Sequence, residues 1–433
     1  MTDDSENEMK LEEIPLSVIL DKIESGAPVE YHDAIIKSGL NIEAADLTRK
    51  HSSRDEFYKE YFDLRDELNI VKSIIKFDNC TFEGIINFNN TIFERKVSFE
   101  RCKFNKYIHF KGCEFRGLTN FRGSRFNKFA DFSYSEIGGA IFIGSIFSLG
   151  AHFMICRFNG AAYFNKSQFD SEINFFRCYF GNFSQFNGSK FEVADFSEST
   201  FGTTFGKIYF EDAKFNRMVN FSDSTLKADV SFNKAVFDKF VDFRRVKFEG
   251  SIDFGNSEFG KVADFRGSSF SDYLVLKYSD FTTLELPWNM IKGILLYDGS
   301  TYLALVKNYN SLELFEDADA CYYQYRTLRR KEHLGRVQWA IDCMPWLFYG
   351  YGVRFYYPLI EMLGVLIISA GFYMHCGQAQ FPGSLGLSAI ILTTTTQVDI
   401  LTGFCWDLSI IERISGWLLM ATFLVALAKK TLR

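Results

Sequence analysis

The chain has 433 residues, enough for two or three domains, and its 49 Phe against 6 Pro depart far from ordinary usage. A formal charge of −6 gives no electrostatic case for nucleic acid, whose binding rests on clustered Lys and Arg facing phosphate. The opening stretch MTDDSENEMKLEE is acidic and lacks an apolar core, so it reads as a disordered tail over residues 1–13 and not as a secretory signal.

Residues 14–76 read as a cap, a first coil and a helical excursion. Leu16 to Ile23, with Ser25-Gly26 behind, has the pattern of a short amphipathic helix, and Ala34-Ile35-Ile36 through Ala45-Asp46-Leu47 that of a first strand-rich turn. Asp55 to Leu68 is charged and is expected to be helical, returning the chain to Val71. An amphipathic helix suits the end of a repeat array, whose end face must be hidden.

From Phe77 to Phe281 a large apolar residue, usually Phe, recurs at alternating steps of five and six. Phe77, Phe82, Phe88, Phe93, Phe99, Phe104, Phe110, Phe115, Phe121, Phe126 and Phe132 keep the alternation, as does the run from Phe210 to Phe270. Self-similarity at a fixed period marks a repeat architecture. The residue two before each aromatic is small or β-branched and the one between is polar, as in Val97-Ser98-Phe99 and Ile252-Asp253-Phe254. That puts two side chains inward and one outward on a short strand. Gly, Asn and Ser cluster after the aromatic, where the chain turns. The alternation breaks at Phe132, Ile137, Phe142, Phe147, which run in fives, and between Phe201 and Phe210, which enclose an irregular Phe205; both are candidate bulges.

Five of the nine cysteines, Cys80, Cys102, Cys113, Cys156 and Cys178, occupy the slot two before an aromatic, where other repeats have Ser, Ala or Thr. They read as small buried thiols in a reducing, cytoplasmic setting, not as a disulfide framework. The six histidines have no metal-ligand spacing with Cys or carboxylates, and His109 and His152 should point outward. No GxxxxGK phosphate motif is present. Neither enzyme activity nor a cofactor or metal is expected.

Ala45-Asp46-Leu47, Ala130-Asp131-Phe132, Ala194-Asp195-Phe196 and Ala263-Asp264-Phe265 resemble the core of the pentapeptide-repeat family, over about residues 34–281. The resemblance implies a mainly β fold, a right-handed quadrilateral parallel β-helix. Two 11-residue units would make each coil, and residues 77–286 would build about nine coils, a column of about 43 Å at ~4.8 Å per layer. Some members of that family imitate DNA; the mild charge here does not favour that role.

Residues 287–353 read as a helical linker or cap. The ladder dissolves at Leu286-Pro287-Trp288; Tyr302, Leu303, Leu305, Val306, Tyr309 and Leu312 then form one helical stripe, and a second helix starts near Asp317 with acids at its start and Arg326, Arg329, Arg330 and Lys331 at its end. Trp346, Tyr349, Tyr351, Phe355, Tyr356 and Tyr357 make an aromatic cluster of the kind found at membrane interfaces.

Residues 354–433 read as a membrane domain. Pro358–His375 and Leu408–Ala428 are apolar enough to span, the second interrupted by Glu412-Arg413. Basic residues before the first span and after the second, with none between them before Arg413, predict a multi-pass protein of the cell membrane with both termini cytoplasmic. Between the spans, Gly383 to Leu392 forms an apolar half-helix that ends in Thr393, Thr394, Thr395, Thr396, Gln397, Val398 and Asp399.

This arrangement is similar to the pore loop of the two-span potassium-channel family, whose filter T-T-V-G-Y-G-D aligns with Thr393–Asp399. Thr396 and Val398 stand where that filter has glycines, and β-branched residues resist the backbone angles of its carbonyl ladder. The resemblance therefore implies a weakly selective cation pore lined by Thr hydroxyls, the Gln397 amide and the Asp399 carboxylate. It would be a homotetramer in the lipid bilayer, with the column open to a protein or small-molecule partner. A membrane-anchored scaffold without conduction is the alternative.

Overall fold

The computed structural model describes residues 12–51, 64–181, 183–203, 206–332, 334–375, 380–394 and 403–431. The chain divides into two units, the first ending at Leu296 and the second beginning at Tyr297.

The first unit is a parallel β-solenoid of about 12 turns. In a regular coil such as 81–100, Thr81–Phe82 and Ile86–Asn87 join one sheet and Thr91–Phe93 and Val97–Glu100 the other. Phe77 pairs with Phe99 and Phe82 with Phe104, two 11-residue units apart, as the ladder requires. The aromatics consequently stand in four files. Phe77 and Phe99 stack with ring centroids 5.4 Å apart, Phe82 and Phe104 5.1 Å, Phe88 and Phe110 5.4 Å, and Phe93 and Phe115 4.9 Å, all within 17° of parallel. Edge contacts such as Phe77–Phe82, at 74°, tie one file to the next.

The slot two before each aromatic proves to be a hydrogen-bonding position as well as a small one. Ser199 Oγ donates to the Phe175 carbonyl at 2.7 Å and accepts from the Cys178 amide at 2.9 Å. Cys113 and Cys178 Sγ make the donor contact to Phe88 and Phe153 at 3.0 and 2.8 Å. Burial pushes the Cys102 and Cys178 thiols well above their ordinary range, which keeps them protonated donors. Ser199→Ala should cost about 1 kcal/mol, because it removes two buried hydrogen bonds and leaves the Phe175 carbonyl and the Cys178 amide only their 3.2 Å bond to each other, whereas Ser199→Cys should keep most of that stability. Denaturant unfolding of the two variants checks this, and an alanine variant as stable as the parent would refute the slot's role.

Two corners of each coil place the second residue after an aromatic in the left-handed region. Asn79, Arg101 and Gly112 have φ of 54°, 54° and 68°, and even the β-branched Ile155 sits there at 57°.

The expected break at Phe132–Phe147 is a register shift between Phe115 and Leu118 against the next layer, which holds one residue fewer. Two further shifts, at Phe169/Glu172 and Phe259/Val262, follow from the same five-residue spacing at Phe191–Phe196–Phe201 and Leu276–Phe281–Leu286. Phe201 pairs with Leu226, so that coil carries three extra residues. Phe205 itself lies outside the described residues.

Helix α1 (Leu16–Ser25) buries Ile19 and Ile23 and ends at Gly26, φ 73°, as expected of the cap. Most of the predicted excursion, 55–63, lies outside the described residues. Its end is not helical: Glu67–Val71 is a strand, antiparallel to Arg49–His51, because Leu68 and Val71 are needed in the core. At the other end the one-turn helix α2 (Trp288–Ile291) and the Leu274–Leu295 bridge cover the last layer.

The second unit is helical, with α3 (Gly299–Ser311), α4 (Phe315–Glu332), α5 (Arg336–Tyr349), α6 (Tyr357–His375), α7 (Phe381–Thr393) and α8 (Phe404–Thr431). Asp298 caps α3 by accepting from the Thr301 amide at 2.9 Å. Helices α6 and α8 are long and apolar enough to cross a membrane.

Candidate functional site: a helical hairpin with a buried carboxylate

Helix α7 packs against both α6 and α8. Tyr373, Ile391 and Cys405 form the centre of the contact, with Leu387 and Leu408 against it. Gly416 lets α7 and α8 approach closely, since a Cβ there would meet the Leu392 carbonyl oxygen at 2.5 Å.

One carboxylate joins the three helices. Glu412 of α8 is 2% exposed. It accepts from Tyr373 Oη of α6 at 2.6 Å on one oxygen and from Ser388 Oγ of α7 on the other. Ser388 Oγ also lies 3.1 Å from the Leu366 carbonyl of α6. Ser369 and Ser384, one turn before Tyr373 and Ser388, are buried too. An acid in an apolar helix is costly unless donors are supplied to it, and here the Tyr373 and Ser388 hydroxyls supply them together with that of Ser369.

Sequence reasoning registered Glu412 only as an interruption of the second apolar run. The available signal was the polar pairs at a spacing of four, Ser369/Tyr373 and Ser384/Ser388, which mark one face each on two otherwise apolar helices.

Of the expected pore-loop residues, Thr393 ends α7 and Thr394 follows it as the cap. Their hydroxyls donate back to the Ala389 and Ile390 carbonyls at 2.6 and 2.7 Å, so both close the helix end. Thr395, Thr396, Gln397, Val398 and Asp399 lie outside the described residues. Among the described residues no group of three or more His, Cys, Asp or Glu could hold a metal ion.

The family described as pentapeptide repeats (9 copies) matches residues 74–113, 110–154 and 201–247. Over those residues the β-solenoid is built of pentapeptide repeats. No curated protein and no solved structure shows significant similarity to the chain. Nothing in these comparisons supports the channel resemblance of residues 354–433. In the pentapeptide-repeat domain, Ile85 and Tyr107 project in register from successive layers and are 48 and 46% exposed, and Leu149, two layers beyond Tyr107 and one place out of register, is 51% exposed. His109 stands beside Tyr107 and His152 meets Phe129 edge-on at 4.6 Å; both are partly exposed, as surface residues should be.

Proposed function

We propose that the chain is a multi-pass membrane protein in which α6, α7 and α8 form a weakly selective cation pore. The pentapeptide-repeat domain serves as its cytoplasmic regulatory or docking part. The observation that carries this reading is the clamped half-helix. Helix α7 has 13 residues, about 20 Å at the usual rise, too short for a hydrocarbon layer of about 30 Å. It is nevertheless held by Ser388 and Glu412 between two helices that are long enough. Such a hairpin cannot enclose a path alone, so several copies must surround it, and a homotetramer is the assembly proposed.

Cysteine chemistry supports the orientation. Cys405, at the loop end of α8, is disulfide-bonded, whereas Cys80, Cys102, Cys113, Cys156, Cys178, Cys321 and Cys343 are free. A disulfide belongs on the oxidising side and free thiols on the reducing one. The basic residues before α6 and at the end of α8 favour the same orientation, with both termini cytoplasmic.

Reconstitution into planar bilayers tests the pore. Cation current is expected, and folded oligomers that pass no current under any condition would sink the reading. Asp399→Asn removes a ring of carboxylates from the loop and should move the reversal potential in a salt gradient toward zero; an unchanged potential would refute that residue's role. The exposed apolar residues Ile85 and Tyr107, adjacent on successive layers, favour a second reading, a membrane-anchored scaffold that binds a partner without conducting. A monomer or dimer by mass measurement in detergent would select it.

A further inference from the structure

Helix α5 is inside out with respect to water. Its carboxylate, Asp342, is buried, accepting from the Arg326 guanidinium and, at 2.6 Å, from Tyr351 Oη. Trp346, one turn on, donates its indole N–H to Tyr323 Oη at 3.1 Å and lies 4.1 Å beneath the Arg330 guanidinium. From Asp342 onward this side of α5 is therefore taken up by α4 and by the turn at Gly350–Gly352, while Gln338 and Trp339 before it are exposed. Val337, Ile341, Met344 and Leu347 are left outward, 74, 67, 60 and 53% exposed. Steps of four and three put the first three on one stripe, and Asp342 and Trp346 on the opposite face.

Two observations decide what covers that stripe. Leu347 and Phe348 form one wall of a groove of about 420 Å³ whose other walls, Gly364, Val365, Ile368 and Leu418, belong to the two long apolar helices. The stripe is thus continuous with the exposed apolar surface of α6 and α8, where Ile360, Ile368, Ile414 and Leu418 stand out. Cationic side chains also gather at its N-terminal end, where Arg329, Lys331 and Arg336 are exposed. An apolar stripe with a basic flank fits the interface of an anionic bilayer.

We propose that α5 lies in the plane of the membrane surface, with Val337, Ile341 and Met344 in the acyl boundary and lipid as its partner. At 14 residues it is too short to cross, and its buried Asp342–Arg326 pair keeps its polar side toward the protein. The proposal rests on the membrane reading given above. It adds that the membrane begins at residue 337 and not at the first span.

The test uses the full chain in vesicles of phosphatidylcholine and phosphatidylglycerol. Spin labels at Ile341→Cys and Met344→Cys, in a Cys343→Ser background, should be accessible to oxygen and protected from a water-soluble nickel chelate, and a label at Gln338→Cys should show the reverse. Photolabelling of the unaltered chain by a diazirine phospholipid, read by mass spectrometry, should place adducts within 337–344, and so does not depend on the variants folding. Nickel access at 341 and 344 in vesicle-inserted protein would overturn the proposal. Protection from both reagents with dipolar broadening between labels would overturn it in favour of a second copy. A chain that fails to float with vesicles would overturn the membrane reading itself.

Discussion

Phe142→Ala is expected to destabilise the pentapeptide-repeat domain by about 3–5 kcal/mol, the cost of deleting a fully buried aromatic. Phe142 is 0% exposed, stacks on Phe121 and Phe164 at 5.2 and 4.9 Å, and meets Phe132 and Phe153 edge-on at 5.5 and 5.4 Å. Each layer of a solenoid contacts only its neighbours, so a central gap weakens two interfaces while an end gap weakens one. Phe270→Ala, in an end layer where the ring is only partly buried, should therefore cost clearly less. Urea unfolding of the two variants measures the difference, and equal costs would argue against coupling between layers.

The second large effect is expected at Glu412. Glu412→Leu removes the acceptor of the buried hydroxyls of Tyr373, Ser388 and Ser369, and should destabilise the hairpin by about 3–5 kcal/mol. Glu412→Gln keeps the volume and one acceptor, so its loss should be smaller. The combined variant Glu412→Leu, Ser388→Ala, Tyr373→Phe, Ser369→Ala removes donors and acceptor together and should recover most of the stability, because apolar replacement of a whole buried polar set is close to neutral. Thermal melting in detergent ranks the three. If Glu412→Leu alone melts no lower than the parent, the carboxylate does not hold α7.

The column was legible because its signal is redundant. A ladder repeated through Phe77, Phe82, Phe88 and Phe93 fixes strand, corner and period together, and the pleat turns that period into register. Local exceptions were less legible. The charged residues of the Asp55–Leu68 stretch carry a helical pattern up to Leu68, yet the core needs Leu68 and Val71, and tertiary packing makes Glu67–Val71 a strand. The spacing at Phe191–Phe196–Phe201 carried the same warning as Phe132–Phe147 and passed unnoticed.

In the helical unit, α3, α4, α6, α7 and α8 were readable from apolar periodicity and length. The Glu412 cluster was not, since its members sit on three helices and only the fold brings them to one point. The inverted face of α5 was hidden for a related reason. Asp342 reads as a solvent-facing acid until Arg326, sixteen positions earlier, is seen to claim it.

The register shifts carry a consequence for how such a column can change over generations. Where a layer loses one residue, the rings inside remain in file: Phe121 still stacks on Phe142 at 5.2 Å, and Phe175 on Phe196 at 5.0 Å. The loss is confined to the perimeter and the bore keeps its gauge. The outer rows resume register as well, with Asn120 beside Ile141 and Asp131 beside His152, so the missing residue alters only the corner where it falls. One corner of the exterior can thus differ in length from layer to layer while the rows on either side keep their places.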